Sequence, residues 1–225
     1  MNPVARAVIG SLGVLCLASP ALGAEPKSTV STEAEPAGKK GGAGKKGGGA
    51  AKRECYDFAD LPADSKFHIG DSVNAKHSVI ALKEFHVDKK QPSGADQQFA
   101  QVTNTKIADG TAPELRMYLI NAQVTPQAPV KKVRLNFAEN LGGLLSNLEV
   151  NGEKHVVDGG LLQANGKVIG KSGAGRAAIV VNMTSTAEGT GFNRGTLELH
   201  ATQGKIETFS IGGLQLFIDN VCMTK

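Results

Sequence analysis

The chain has 225 residues, with 40% apolar, 20% charged, 28 Gly, eight Phe, two Tyr and no Trp. That composition excludes a coiled coil, a disulfide-dense miniprotein and a membrane protein with more than one spanning segment. The formal charge is +4, but eight of the 25 basic and four of the 21 acidic residues precede Cys55, leaving 17 of each from there on. The basic excess therefore belongs to the first 54 residues, and the rest of the chain is neutral.

Residues 1–24 read as a secretory signal peptide: Arg6 supplies the positive end, Ala7 to Ala18 the apolar stretch, and Ala21-Leu22-Gly23 the small residues before cleavage. The apolar stretch is shorter than the roughly 20 residues that span a bilayer, and Pro20 closes it. The mature chain is expected to be secreted, periplasmic or at the cell surface, with no transmembrane segment. Residues 25–54 read as a flexible linker. Two Lys-Lys-Gly-Gly units hold Lys39, Lys40, Lys45 and Lys46, and Lys52-Arg53 follows. So little apolar surface cannot offset ordering entropy, and the like charges extend the chain. Two uses fit this segment: an electrostatic tether to an anionic envelope or matrix polymer, or a plain solvated spacer.

From Cys55 the pattern alternates with period 2, giving expected strands at 77–87, 115–120, 132–137, 148–152, 176–183, 196–200, 205–211 and 214–222. Asn151-Gly152 and Asn165-Gly166 are hairpin signals, and Gln203-Gly204 is read as a turn joining two neighbouring strands. No window carries a convincing helix. The expected fold is all-β: an antiparallel β-sandwich or jelly roll over 55–225, with a barrel as the competing architecture. Cys55 and Cys222 bracket this domain, and in an oxidising exported compartment an isolated pair is most simply a disulfide.

The opening Cys55 to Pro62, with Phe67 to Asp71, resembles that of a group of secreted bacterial domains beginning Cys-x-Asp-Phe-Glu-Asp-Leu. The ending Gly204 to Cys222 resembles their Ile-Gly-Gly-x-Glu-Leu-x-Ile-Asp-Asp-Val-Cys. The chain departs at Ala59 and Gln215, where Glu is usual, and at Phe217, where Trp is common. The same ends are similar to galactose-binding-like jelly-roll carbohydrate-binding modules, whose first and last strands often share a structural Ca²⁺. That resemblance implies Asp57 and Asp219 as candidate Ca²⁺ ligands, helped by Asp60 and Asn220; otherwise these side chains cap strand ends.

Aromatic side chains for stacking on a sugar are few. Tyr56, Tyr118 and Phe192 are the candidates for exposure, and Phe192, Asn193 and Arg194 are placed in a loop from Gly189 to Gly195 that would be a ligand-binding loop or a simple turn. There is no Gly-x-Ser-x-Gly, no His-Glu-x-x-His and no EF-hand loop. The expected role is thus a noncatalytic binding or structural module of the envelope, matrix or a surface fibre. Its partners would be an anionic polymer, a polysaccharide or copies of itself, and no specific nucleic acid. A carbohydrate-binding module proper and a jelly-roll hydrolase are the alternatives.

Overall fold

The alternating apolar positions become the buried faces of two antiparallel sheets. The computed structural model describes residues 52–86, 98–108, 111, 113–140, 145–171, 173, 175–187 and 191–225. The strands are β1 Arg53–Tyr56, β2 Lys66–Phe67, β3 Ser72–Ala75, β4 Ser78–Glu84, β5 Phe99–Thr103, β6 Glu114–Tyr118, β7 Ile120–Pro126 and β8 Lys132–Asn140. They continue as β9 Leu145–Val150, β10 Glu153–Asp158, β11 Val168–Ile169, β12 Arg176–Ala187, β13 Phe192–Gln203, β14 Phe209–Gly213 and β15 Leu216–Thr224. Sheet A runs β11-β12-β13-β8-β15-β6-β5-β2, with β1 also on β15; sheet B runs β10-β9-β14-β7-β4-β3. Between them lies one continuous core that includes Phe58, Phe137, Phe209, Leu135 and Ile211. The fold is an all-β sandwich. Among the described residues no helix is long and apolar enough to cross a membrane.

Consecutive strands repeatedly change sheet: β6 (A), β7 (B), β8 (A), β9 (B). The last two strands then enter between earlier ones, β14 between β9 and β7, β15 between β8 and β6. This interleaving lets residues far apart in sequence lie in one row. It also explains where the expected strands differ. The run 115–120 is two strands, because Leu119 takes a left-handed φ of 50° and donates its N–H to the Gly213 carbonyl at 2.9 Å. There the chain steps from sheet A to sheet B. Gln203-Gly204 likewise joins β13 in sheet A to β14 in sheet B, so it is a crossover and not a hairpin.

Asn151-Gly152 is a two-residue hairpin, with φ of 48° and 80° and Val150 opposite Glu153. Asn165-Gly166 is not. Asn165 (φ −58°, ψ 133°) and Gly166 (φ 78°) turn a short 3-10 segment, Leu161–Ala164, into β11. Positive φ at the second central position only is the geometry of a type II turn, which does not pair its own flanks as a hairpin. Residues 1–51, with the expected signal peptide and most of the linker, lie outside the described residues; β1 starts at Arg53, two residues before the expected edge of the domain.

Cys55 and Cys222 are directly opposite in the β1–β15 ladder and form a disulfide. It closes a loop with a sequence separation of 167, for which chain-entropy arithmetic gives about 5 kcal/mol. β15 is flanked by β8 on one side and, on the other, by β6 along Leu216–Ile218 and β1 along Val221–Thr224. The change of neighbour coincides with a bulge between Asp219 and Cys222 and with Asn220 at a φ of 50°.

Candidate functional site

That bulge decides what the candidate Ca²⁺ ligands do. Asp219 is buried, and its carboxylate accepts the Asn220 N–H at 2.6 Å and the Thr111 hydroxyl at 2.8 Å. A carboxylate that accepts the amide of the next residue holds that residue in its left-handed turn. Asp57 accepts the Ala59 N–H at 3.2 Å across the turn that swings Phe58 (φ 61°) into the core, where its ring meets Tyr56 edge-on at 5.0 Å. Asp60 accepts the Tyr56 hydroxyl at 2.7 Å. Burial first, and Asp60 second, push the Tyr56 hydroxyl well above its ordinary range. Each of these side chains thus serves the local backbone or a core ring. Among the described residues no three His, Cys, Asp or Glu side chains converge as a metal cage.

The expected loop at 189–195 is strand from Phe192 onward. Phe192 is buried, because its position in β13 faces Ala138 and Phe217 on the outer side of sheet A, and its ring meets Phe217 edge-on at 5.3 Å. Tyr56 is buried too, so two of the three aromatic residues expected at the surface belong to packing. Asn193 and Arg194 are half-buried strand residues paired across to Glu139 and Ala138. Of the basic tether residues, Lys52 sits 3.0 Å from Glu54, and Arg53 donates to the Cys222 sulfur at 3.1 Å; Lys39, Lys40, Lys45 and Lys46 lie outside the described residues.

A larger recess than these residues form lies elsewhere among the described residues, on the outer face of sheet B, as a groove of about 560 Å³. Its floor follows from the register. Ala81 (β4), Gln123 (β7), Ser210 (β14), Glu149 (β9) and Lys154 (β10) are successive cross-strand partners and form one row. Their neighbours Leu82, Val124, Phe209 and Leu148 alternate into the core, as does Val157 three residues beyond Lys154, so period 2 puts Gln123, Ser210, Glu149 and Lys154 outward into the groove. The row carries amide, hydroxyl, carboxylate and ammonium groups in line. Ile69 and Gly70 form one wall and Lys83, Glu84 and His86 another.

The next row is Lys83, Asn121, Gly212, Asn147 and Val156. Asn121 and Asn147 are buried and meet over Gly212, the Asn121 amide donating to the Asn147 carbonyl oxygen at 3.2 Å. Gly212 is required here: a Cβ at this position would stand 2.0 Å from the Asn121 carbonyl oxygen. Asn121 also donates to the Glu84 carbonyl at 2.7 Å, while Asn147 accepts the His86 N–H at 2.6 Å and donates to the His86 carbonyl at 2.7 Å. The amide pair thereby clasps the chain leaving β4 against the sheet and builds the end wall. With both Asn121 hydrogens committed, its buried carbonyl oxygen stands beside the groove without a protein donor. Burial first, then the nearby Lys154, holds the His86 imidazole below its ordinary range, so it is neutral near pH 7 and offers one donor and one acceptor.

No single segment announces this site, since its floor residues come from five strands. The only local signal is Gly212-Gly213 in an otherwise apolar strand, which marks a close approach from above. Compared with protein-family models, curated proteins and solved structures, the chain matches none of them. The strand order and register themselves define the architecture.

Proposed function

We propose that the chain is an exported, noncatalytic binding module whose sheet B groove takes a hydroxyl-rich ligand, a polysaccharide segment being the best chemical fit. The observation that carries this reading is the Gln123-Ser210-Glu149-Lys154 row in an open groove. Alternating donors and acceptors in line suit a run of hydroxyls, each of which both gives and takes a hydrogen bond. Behind this row the Asn121 carbonyl oxygen is buried with no donor among the described residues. Recognition would rest on hydrogen bonds, as no Phe, Tyr or Trp lines this groove among the described residues. Export rests on residues 1–24, and the likeness of both chain ends to secreted jelly-roll modules agrees with it.

The test is a glycan array probed at low and high salt, with and without a calcium chelator, using the native chain and the Gln123→Ala, Glu149→Gln double variant. Capture of a hydroxyl-rich glycan that persists at high salt, and falls about tenfold or more in the variant, is expected for two lost hydrogen bonds, one of them to a charged group. Binding that vanishes with salt and ignores the variant would overturn the groove reading and favour adhesion by the basic segment. Loss on chelation would show that a structural Ca²⁺ supports the binding face.

A further inference from the structure

The opposite sheet carries a second polar recess, and its chemistry differs. Arg53, Lys132, Arg134, Thr224 and Cys222 line a hollow of about 100 Å³ on the outer face of sheet A. Two rows two residues apart create it: Arg53-Thr224-Lys132-His200 and Cys55-Cys222-Arg134-Glu198, across β1, β15, β8 and β13. Residues two apart share a face, so the sheet itself brings Lys132, Arg134 and His200 together around one carboxylate, with Arg53 on the far side of the hollow. Glu198 lies 2.8 Å from the Lys132 ammonium, 2.7 Å from His200 Nε2 and 3.7 Å from Arg134 Nε. Although burial works to raise its carboxyl, the hydrogen bonds from Lys132 and His200 hold it below the ordinary range, so it is ionised at neutral pH.

One negative charge thus answers three permanent cations. Lys132 is committed to it at close range, and Arg134 reaches it only at 3.7 Å. Arg53 donates to the Cys222 sulfur, a weak acceptor, at 3.1 Å. Holding two further guanidinium charges beside this pair, on strands joined by a disulfide, leaves a concave surplus of positive charge with planar donors at its rim. We propose that this hollow binds a tetrahedral oxyanion, a phosphate or sulfate group, between Arg53 and Arg134, with Lys132 and the Thr224 hydroxyl completing the cradle. Guanidinium groups grip such oxygens two at a time, which neither sulfur nor a distant shared carboxylate allows. The site is independent of the sheet B groove, and it joins Arg53, one of the expected tether residues, to cations of the folded sheet.

The full chain is titrated calorimetrically with sodium phosphate and separately with sodium sulfate, ionic strength being fixed with sodium chloride, and with sodium acetate as a third arm. Saturable binding of phosphate or sulfate is expected, and the preferred arm names the ester. Arg134→Gln should weaken it about tenfold or more, the loss of a charge-assisted bond. Arg53→Gln should do likewise, and Lys76→Gln, in the β3–β4 turn, should not. Thermal melts accompany each variant, and because Arg53→Gln can loosen β1, an Arg134→Gln protein of unchanged melting temperature decides. No saturable binding of either anion, equal affinity for acetate, or an Arg134→Gln loss no larger than that of Lys76→Gln would overturn the proposal.

Discussion

On each outer face of the sandwich a short stretch of connecting chain is held by a buried polar side chain, of a different kind on each face. On sheet A the clasp is Glu114, fully buried, whose carboxylate accepts the Ile107 and Ala108 N–H groups at 2.8 and 2.7 Å and the Thr105 hydroxyl. On sheet B it is Asn147, which meets both the N–H and the carbonyl of His86. The difference follows from what each segment presents. The stretch 105–108 offers donors, which an acceptor-only carboxylate matches completely, whereas His86 offers one donor and one acceptor, which an amide matches. The choice also sets what remains on each face. The carboxylate clasp seals a small apolar cluster of Phe192, Phe217, Ala138 and Ala108. The amide clasp leaves beside it an open groove with a spare carbonyl oxygen.

The strongest way to break this comparison is Glu114→Ala, which takes the acceptor from two backbone N–H groups, that of Ala108 being buried. A loss of about 3 kcal/mol in denaturant unfolding is expected, and a loss under about 1 kcal/mol would show that water replaces the carboxylate freely. Asn147→Ala should cost less, about 2 kcal/mol, since the segment it holds is half-exposed at His86. Asn147→Asp sharpens the point: it keeps the acceptor but turns an oxygen towards the His86 carbonyl, so it should be no better tolerated than Ala. A well-tolerated Asp would refute the match of donor to acceptor.

The smallest effect is expected at Glu139, where a buried carboxylate has one N–H for company. Burial raises its carboxyl above the ordinary range, with the Leu161 N–H working the other way. The folded state therefore holds this proton more tightly than the unfolded one. Stability contributed by the group is present below the unfolded value and is lost as pH rises through the raised folded value. Glu139→Gln keeps an oxygen for Leu161 and removes the charge. Its unfolding free energy should equal that of the native chain near about pH 3 and exceed it slightly near about pH 7. A variant less stable at neutral pH would mean that the ionised form makes contacts beyond Leu161.

Much of the fold is local and was readable: the alternation along Lys132–Phe137, the Asn151-Gly152 turn, and two cysteines bracketing one domain. Asn151 shows how much such a turn residue can do, since its side chain also donates to the carbonyls of Lys205 and Gly175 and accepts the N–H groups of Glu207 and Thr208. What was not readable depends on which strands become neighbours. Leu119 looks like one more apolar strand residue until Gly213 lies opposite it. Phe192 reads as a loop aromatic until Phe217 and Ala138 supply its packing. Asp57 and Asp219 have ligand chemistry in isolation, and only the turn at Phe58 and the bulge at Asn220 show how each is used. The groove is the extreme case, as Gln123, Glu149, Lys154 and Ser210 acquire meaning only through the interleaving of β14 between β7 and β9.

The disulfide has a mechanical consequence. The two ends of the domain emerge together, with the Lys225 N–H 3.5 Å from the Lys52 carbonyl. Tension applied between the segment before Lys52 and the C-terminal end would unzip the β1–β15 ladder one rung at a time. It would open Arg53 from Thr224, then Glu54 from Met223, and arrive at Cys55–Cys222. Beyond that rung the load runs through a covalent bond, and the rest of the sandwich stays slack. Under oxidising conditions the domain thus extends by two rungs and then holds, so tension between the ends would leave the sheet B groove intact while it parts Arg53 from Thr224 and opens the sheet A hollow.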